Sequence, residues 1–216
     1  MQRAWIGAAA VAASLLAGLF PPTSAEAGAS CAKASHPGGE WRIYGHDYSN
    51  TRSQPAEKKI GLVEAATLQP EWTFFTPDDG DITGTPVVAD GCVYVGTNSG
   101  MVYALNADSG KLVWKAKVKG GGINSTIAVF DGKVFANVSR VGKPGMVALD
   151  QRNGDPLWDT TVERQPGSDT YASPIYFDDL VFSGWSGGAA ELGDEDERHL
   201  FQGGFVLIEA DTGRIA

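Results

Sequence analysis

A tryptophan recurs through this sequence at a spacing in the low forties, twice just after the same short turn. That period constrains the fold more than any other feature. Trp114 closes the stretch 104–114, Ala-Leu-Asn-Ala-Asp-Ser-Gly-Lys-Leu-Val-Trp, and Trp158 closes 148–158, Ala-Leu-Asp-Gln-Arg-Asn-Gly-Asp-Pro-Leu-Trp. A third copy, 207–216, reads Leu-Ile-Glu-Ala-Asp-Thr-Gly-Arg-Ile-Ala, and Trp72 stands one period before Trp114. Such a period is too long for a single hairpin and matches one four-stranded blade of a β-propeller.

Within one period the strands separate cleanly. Thr-Pro-Val-Val-Ala (85–89) is followed by Asp90-Gly91, then Cys-Val-Tyr-Val-Gly-Thr (92–97), Asn98-Ser99-Gly100, Met-Val-Tyr-Ala-Leu-Asn (101–106), Asp108-Ser109-Gly110 and a strand holding Trp114. At such corners Asp or Asn bonds forward to the backbone, and Gly takes the left-handed conformation that a β-carbon penalises. The 28 glycines and 10% aromatic residues fit many short strands joined by tight turns. The expected fold is all-β, a partial β-propeller of four-stranded antiparallel blades with about three blades present. Each repeated Trp is expected to plug the space between neighbouring blades. In the third copy the plug would fall at the next position after Ala216, so the chain reads as the front part of a larger propeller. Open sheet edges are then expected to favour self-association.

The first residues carry Arg3, an apolar run over 6–20, Pro21-Pro22 and the small-x-small pattern Ala25-Glu26-Ala27. This reads as a secretory signal over 1–27, followed by a flexible mature N-terminus over 28–40 and an incomplete propeller over 41–216. The alternative, a membrane anchor, needs a run of about 20 apolar residues, longer than this one. No stable membrane span is expected after cleavage, and the product is expected to be periplasmic or secreted. The net charge of −9 argues against nucleic acid as a partner. Cys31 and Cys92 are the only cysteines. Export would permit a disulfide, but with Cys31 in a tail and Cys92 in a strand, the favoured reading makes Cys92 a small buried hydrophobe.

The segment Trp-Arg-Ile-Tyr-Gly-His-Asp-Tyr-Ser-Asn-Thr-Arg (41–52), with Glu-Trp-Thr-Phe-Phe-Thr (71–76) and the Asp-x-Gly-x-x-x-Trp repeats, resembles the opening of the pyrroloquinoline quinone (PQQ)-dependent alcohol dehydrogenases. The stretch Gly-Trp-Ser-Gly-Gly-Ala-Ala-Glu-Leu-Gly (184–193) resembles that family's Gly-x-x-Gly-Ala-Glu motif. The resemblance implies pyrroloquinoline quinone and Ca2+ as cofactors, with Ser186, Gly188 and Ala190 against the quinone and Glu191 as a calcium ligand. Calcium prefers carboxylate and carbonyl oxygens and would polarise the quinone carbonyl. It also implies a small-molecule alcohol substrate and a periplasmic cytochrome as electron acceptor, with the catalytic Asp beyond this stretch. Read by residue type alone, 184–193 is a Gly-rich rim loop ending in an exposed Glu.

The chain also departs from the family pattern. Where the family has adjacent cysteines and then an Arg that holds a cofactor carboxylate, this chain reads Lys-Val-Lys-Gly-Gly-Gly-Ile-Asn-Ser-Thr (117–126), with Ser125 in the place of the Arg. Thr83 stands where a carboxylate is often found. The acidic run 194–199 reads as a solvated loop. His36, His46 and His199 have no metal-ligand spacing, and His46 is expected to bond locally. Trp185 is expected in the core rather than as a stacking platform. Two functional readings follow: the N-terminal part of an exported PQQ and calcium dehydrogenase, or a non-catalytic propeller that binds envelope proteins through its rim.

Overall fold

The computed structural model describes residues 29–32, 38–76, 79–187 and 202–216. The leader over 1–27, His36, the acidic run, His199 and the expected cofactor positions Gly188, Ala190 and Glu191 lie outside them. A single helical turn, α1 (Leu62–Ala65), precedes a succession of strands. The first sheet runs β1 (Val87–Ala89), β2 (Cys92–Gly96), β3 (Met101–Asn106), β4 (Leu112–Lys117), and its spatial order is its chain order. The second repeats this with β5 (Ala128–Phe130), β6 (Lys133–Val138), β7 (Gly145–Asp150) and β8 (Pro156–Thr161). In the third, β9 (Ser168–Asp169) joins the outer part of β11 (Leu180–Gly187), which lies between β10 (Ile175–Phe177) and β12 (Gly204–Glu209). Ile215 bridges back onto Ile208, where the other two sheets place their outermost strand. All pairings are antiparallel, as expected for propeller blades.

Each blade begins with the same hairpin. Asp90 and Gly91 have φ of 48° and 77°, Asp131 and Gly132 have 47° and 69°, and Asp178 and Asp179 have 51° and 61°. Two successive positive φ values give the turn whose twist matches the flanking strands. Alternation along the strands then assigns side chains to opposite faces. On β6, Val134, Ala136 and Val138 pack toward the first blade with Val87, Tyr94 and Val102, while Phe135 packs toward the third with Val181 and Ile208. The core therefore lies in layers between blades, and one strand serves two layers.

The repeated tryptophans act as plugs. The indole N–H of Trp72 donates to Ala107 O at 3.0 Å, that of Trp114 to Gln151 O at 2.9 Å, and that of Trp158 to Ala210 O at 2.9 Å. Each ring covers a turn glycine of the following blade. A β-carbon on Gly110, Gly154 or Gly213 would lie 2.6, 2.6 or 2.7 Å from the ring atoms of Trp72, Trp114 or Trp158, respectively. These glycines also have φ of 67°, 76° and 72°, so turn conformation and ring contact demand the same residue.

The residue opening each such turn anchors it. Asn106 Oδ1 accepts from the N–H groups of Asp108 and Ser109 at 3.0 and 2.9 Å, and Asp150 Oδ1 accepts from Arg152 N–H at 2.8 Å. Hydrogen bonds from the Arg152 side chain, then from its backbone N–H, hold the Asp150 carboxyl down to about 2. The depressed value stabilises the fold above the unfolded Asp value of roughly 3.9, and that contribution disappears as pH falls toward about 2. Asp150→Asn is therefore expected to lower the unfolding midpoint at pH 5 and to have a much smaller effect at pH 2. A gap between wild type and variant that is constant across this range would contradict the assignment.

An N-terminal strap laces the blades together. Trp41 bridges to Val88, Val129 N–H donates to Arg42 O at 3.1 Å, and Tyr48 Oη–H donates to Tyr176 O at 2.6 Å. The strap thus touches β1, β5 and β10, the adjoining first strands of the three blades. Arg42 also grips Asp90 through Nη1 and Nη2 at 3.1 and 2.7 Å. The hydrogen bond from Arg42 keeps the Asp90 carboxyl below the ordinary carboxylate range.

The cysteine reading is corrected here: Cys31 and Cys92 form a disulfide, with their Cα atoms 4.9 Å apart. The tail segment does not hang free at this point, because Ala32 N–H donates to Gly91 O at 2.8 Å and Asn106 Nδ2–H to Ser30 O at 2.7 Å. Those bonds bring Cys31 to the start of β2. Cys92 is fully buried as expected, but as half of a cross-link.

Candidate functional site

The segments leading into the three first strands converge: Thr83-Gly84-Thr85 before β1, Asn124-Ser125-Thr126 before β5, and Tyr171 to Ser173 before β10. Between them, closed on one side by Tyr44 of the strap and by Ile175, lies a cavity of about 440 Å3. The blades are stitched at this point by equivalent bonds. Thr85 N–H donates to Thr126 Oγ1 at 3.0 Å, and Thr126 N–H donates to Ser173 Oγ at 3.2 Å. Thr83 Oγ1–H donates to Asn124 O at 3.2 Å. Gly84 is required by this convergence, since a β-carbon there would collide with the Ser125 carbonyl.

Ser125 is 5% exposed, and its Oγ has no hydrogen-bond partner among the described residues. The hydroxyls of Thr126 and Ser173 accept backbone N–H groups, and neither donates to an acceptor among the described residues. The hydroxyls of Tyr44 and Thr85 likewise donate to no acceptor among the described residues, and no lining side chain among those residues is charged. A buried hydroxyl without a partner costs about 1–3 kcal/mol, which an acceptor-rich ligand would recover.

Beside this cavity is a smaller one of about 170 Å3, lined by Tyr171, Ala172, Gly184, Trp185, Ser186 and Gly204. Tyr171 belongs to both. Ser186, the one expected cofactor contact among the described residues, is half-buried on β11 opposite Asp169 of β9. Trp185 Nε1–H donates to Gln202 O at 2.9 Å and packs against the core between the second and third blades. A β-carbon on Gly204 would fall 2.5 Å from its ring. The core assignment for Trp185 holds, although one part of the side chain also walls the cavity. A buried polar relay fixes the neighbouring backbone: Ser183 Oγ–H donates to Asn137 Oδ1 at 2.8 Å, and Asn137 Nδ2–H donates to Ala172 O at 2.7 Å.

The structure brings together Thr83 and Ser125, the two departures that the sequence placed far apart, on one cavity wall. It also explains the glycine run. β-Carbons on Gly121 and Gly122 would collide with the carbonyls of Ser139 and Asn98, so a pair of adjacent side chains has no room there. His46 bonds locally as expected, with its ring 5.0 Å from that of Trp41 and Nδ1 3.4 Å from Asp47 Oδ2. Sequence reasoning missed Tyr44, Tyr171 and Asp169. Asp169 is 1% exposed and accepts from Ser139 Oγ–H at 2.7 Å and Thr170 N–H at 2.8 Å. Gly-Ser-Asp-Thr (167–170) reads as an ordinary turn, and only the β9–β11 pairing reveals its place. Among the described residues no group of three or more His, Cys, Asp or Glu could hold a metal ion, and no helix is long and apolar enough to cross a membrane.

Repeated blades, tryptophan plugs and converging first strands define a propeller of the PQQ-repeat class. A family model described as outer membrane protein assembly factor BamB matches residues 56–215, and the chain belongs to this PQQ_2 family. Within it, the chain resembles quinoprotein dehydrogenases. It is 28% identical to a polyvinylalcohol dehydrogenase of Pseudomonas sp over 82% of this chain and 28% of that protein. It is 33% identical to 1-butanol dehydrogenase (cytochrome c) of Thauera butanivorans over 56% of this chain and 18% of that protein. Quinohemoprotein alcohol dehydrogenase ADHIIG of Pseudomonas putida superposes with a TM-score of 0.70 at 27% identity, covering 84% of this chain and 26% of that one. The chain therefore spans less than a third of the length of these relatives.

Proposed function

We propose that this chain supplies blades to an exported, dehydrogenase-type propeller that binds pyrroloquinoline quinone with calcium, oxidises a small-molecule alcohol and passes electrons to a periplasmic cytochrome. The observation that carries the reading is the donor-rich cavity where the three blades converge, with the Ser125 hydroxyl buried and unpartnered beside it. A flat ligand rich in carbonyl and carboxylate oxygens suits these unspent hydroxyl protons. In this reading Ser125, Thr126 and Ser173 orient the cofactor, Ser186, Gly188 and Ala190 lie along it, and Glu191 ligates calcium. When bound, the quinone accepts two electrons and the hydrogen from the alcohol carbon. Tyr171 and Trp185 exclude water from one side, and Gly84 keeps the blade ends close. The alcohol's proton goes to a base that the resemblance places outside this stretch. Export is supported by the disulfide, since such bonds persist in oxidising compartments.

A non-catalytic scaffold in the envelope is the second reading. It is favoured by the absence of any charged side chain among the described residues of the cavity wall and by the absence of an adjacent cysteine pair from the sequence.

Titration of the full-length protein with pyrroloquinoline quinone, followed by tryptophan fluorescence, separates the two. Saturable binding that disappears with a calcium chelator is expected, weakened at least about tenfold, or roughly 1.4 kcal/mol, in Glu191→Gln. Absence of binding by the wild type would reject the dehydrogenase reading in favour of the scaffold. Unchanged binding by the variant would remove Glu191 from the calcium site.

A further inference from the structure

Among the described residues the cavity offers hydroxyl donors from its blades but no positive charge, whereas pyrroloquinoline quinone carries three carboxylates. Resting on the reading that this cavity holds the quinone, we propose that Arg52 of the N-terminal strap supplies the cation of the site, replacing the arginine that Ser125 lacks.

Tyr44 forms part of the cavity wall. The Arg52 guanidinium lies over its ring, with Cζ 5.4 Å from the centroid, and Nη2–H donates to Tyr44 Oη at 2.7 Å. The charge therefore stands one hydrogen bond from the cavity. Arg52 forms no ion pair among the described residues, although the chain carries a net charge of −9. A guanidinium stacked on a ring and bonded through one nitrogen keeps further N–H groups for a carboxylate, which it can bind in two-pronged fashion.

The backbone is arranged for this placement. Arg52 has φ of 51°, in the left-handed region that costs a residue with a β-carbon on the order of 1 kcal/mol. Two contacts over-determine it. Arg52 N–H donates to Gly45 O at 3.0 Å, and the preceding turn is clamped by Asp47, which accepts from Thr51 N–H at 3.0 Å and Thr51 Oγ1–H at 2.6 Å. The strap that joins the blades thereby holds the Arg52 guanidinium over Tyr44 of the cavity wall.

The test is the affinity of the full-length protein for pyrroloquinoline quinone with calcium present, measured over a series of KCl concentrations for wild type, Arg52→Gln and Arg52→Lys. Gln keeps the backbone demand of a β-carbon at this position and removes only the charge. A loss of roughly tenfold or more is expected for Arg52→Gln at low salt, narrowing as KCl rises, with part of the affinity restored by Arg52→Lys, which keeps the charge without the planar fork. Equal affinities for wild type and Arg52→Gln would overturn the role of Arg52 while leaving the cofactor site standing. A loss that is insensitive to salt, or a Lys variant no better than Gln at any salt concentration, marks a structural effect and overturns the proposal equally. A wild type that binds no quinone removes the cofactor reading and this inference together.

Discussion

Trp114→Ala is expected to destabilise the protein by about 3–5 kcal/mol, the cost of emptying a well-packed aromatic site. Trp114 is 8% exposed, its ring lies on Gly154 of the next blade, and its indole N–H satisfies the Gln151 carbonyl. Removing the ring leaves a cavity between two blades and an unpaired carbonyl within it, so neither sheet can collapse alone to repair the loss. The complementary change, Gly154→Ala, drives a methyl group into the same ring and forces a β-carbon onto a φ of 76°. Both variants are expected to shift the urea midpoint of the first unfolding transition downward. A midpoint for Trp114→Ala within error of wild type would show that the tryptophans do not join the blades.

Reduction of the Cys31–Cys92 bond is expected to cost about 4 kcal/mol, because the cross-link spans a sequence separation of 61 and its removal frees the unfolded chain. The native state supplies little compensation. Once the bond is open, two hydrogen bonds among the described residues, at Ala32 and Ser30, hold the tail to the first blade. The strap that follows carries Glu40, Arg42 and Tyr44, so loosening is expected to spread from the first blade toward the cavity. Melting the protein with and without reductant, beside Cys31→Ser/Cys92→Ser, checks this. The reduced protein and the double variant should melt at the same lowered temperature. Identical melting of the oxidised and reduced forms would contradict the tether.

The blades were legible because their signals are local and repeated. Asp90-Gly91 and the Asn106 and Asp150 turns dictate backbone conformation within four or five residues, and the Trp spacing gives the period without any knowledge of contacts. What escaped was set by chain segments distant in sequence. Cys31 is brought to Cys92 by a backbone bond from Ala32 to Gly91 and a side-chain bond from Asn106 to Ser30 that no pattern announces. The cavity is likewise assembled from the ends of three blades and Tyr44, so Thr83 and Ser125 appeared as two unrelated departures rather than one wall. Asp169 was hidden in a turn-like stretch because its burial depends on pairing with Ser186.

The most direct test of the account is an assay of the purified full-length protein for alcohol-dependent reduction of an artificial electron acceptor, with pyrroloquinoline quinone and calcium added together or singly. The account predicts turnover only when quinone, calcium and a small alcohol are all present. A protein that binds no quinone and reduces no acceptor under any combination would contradict it.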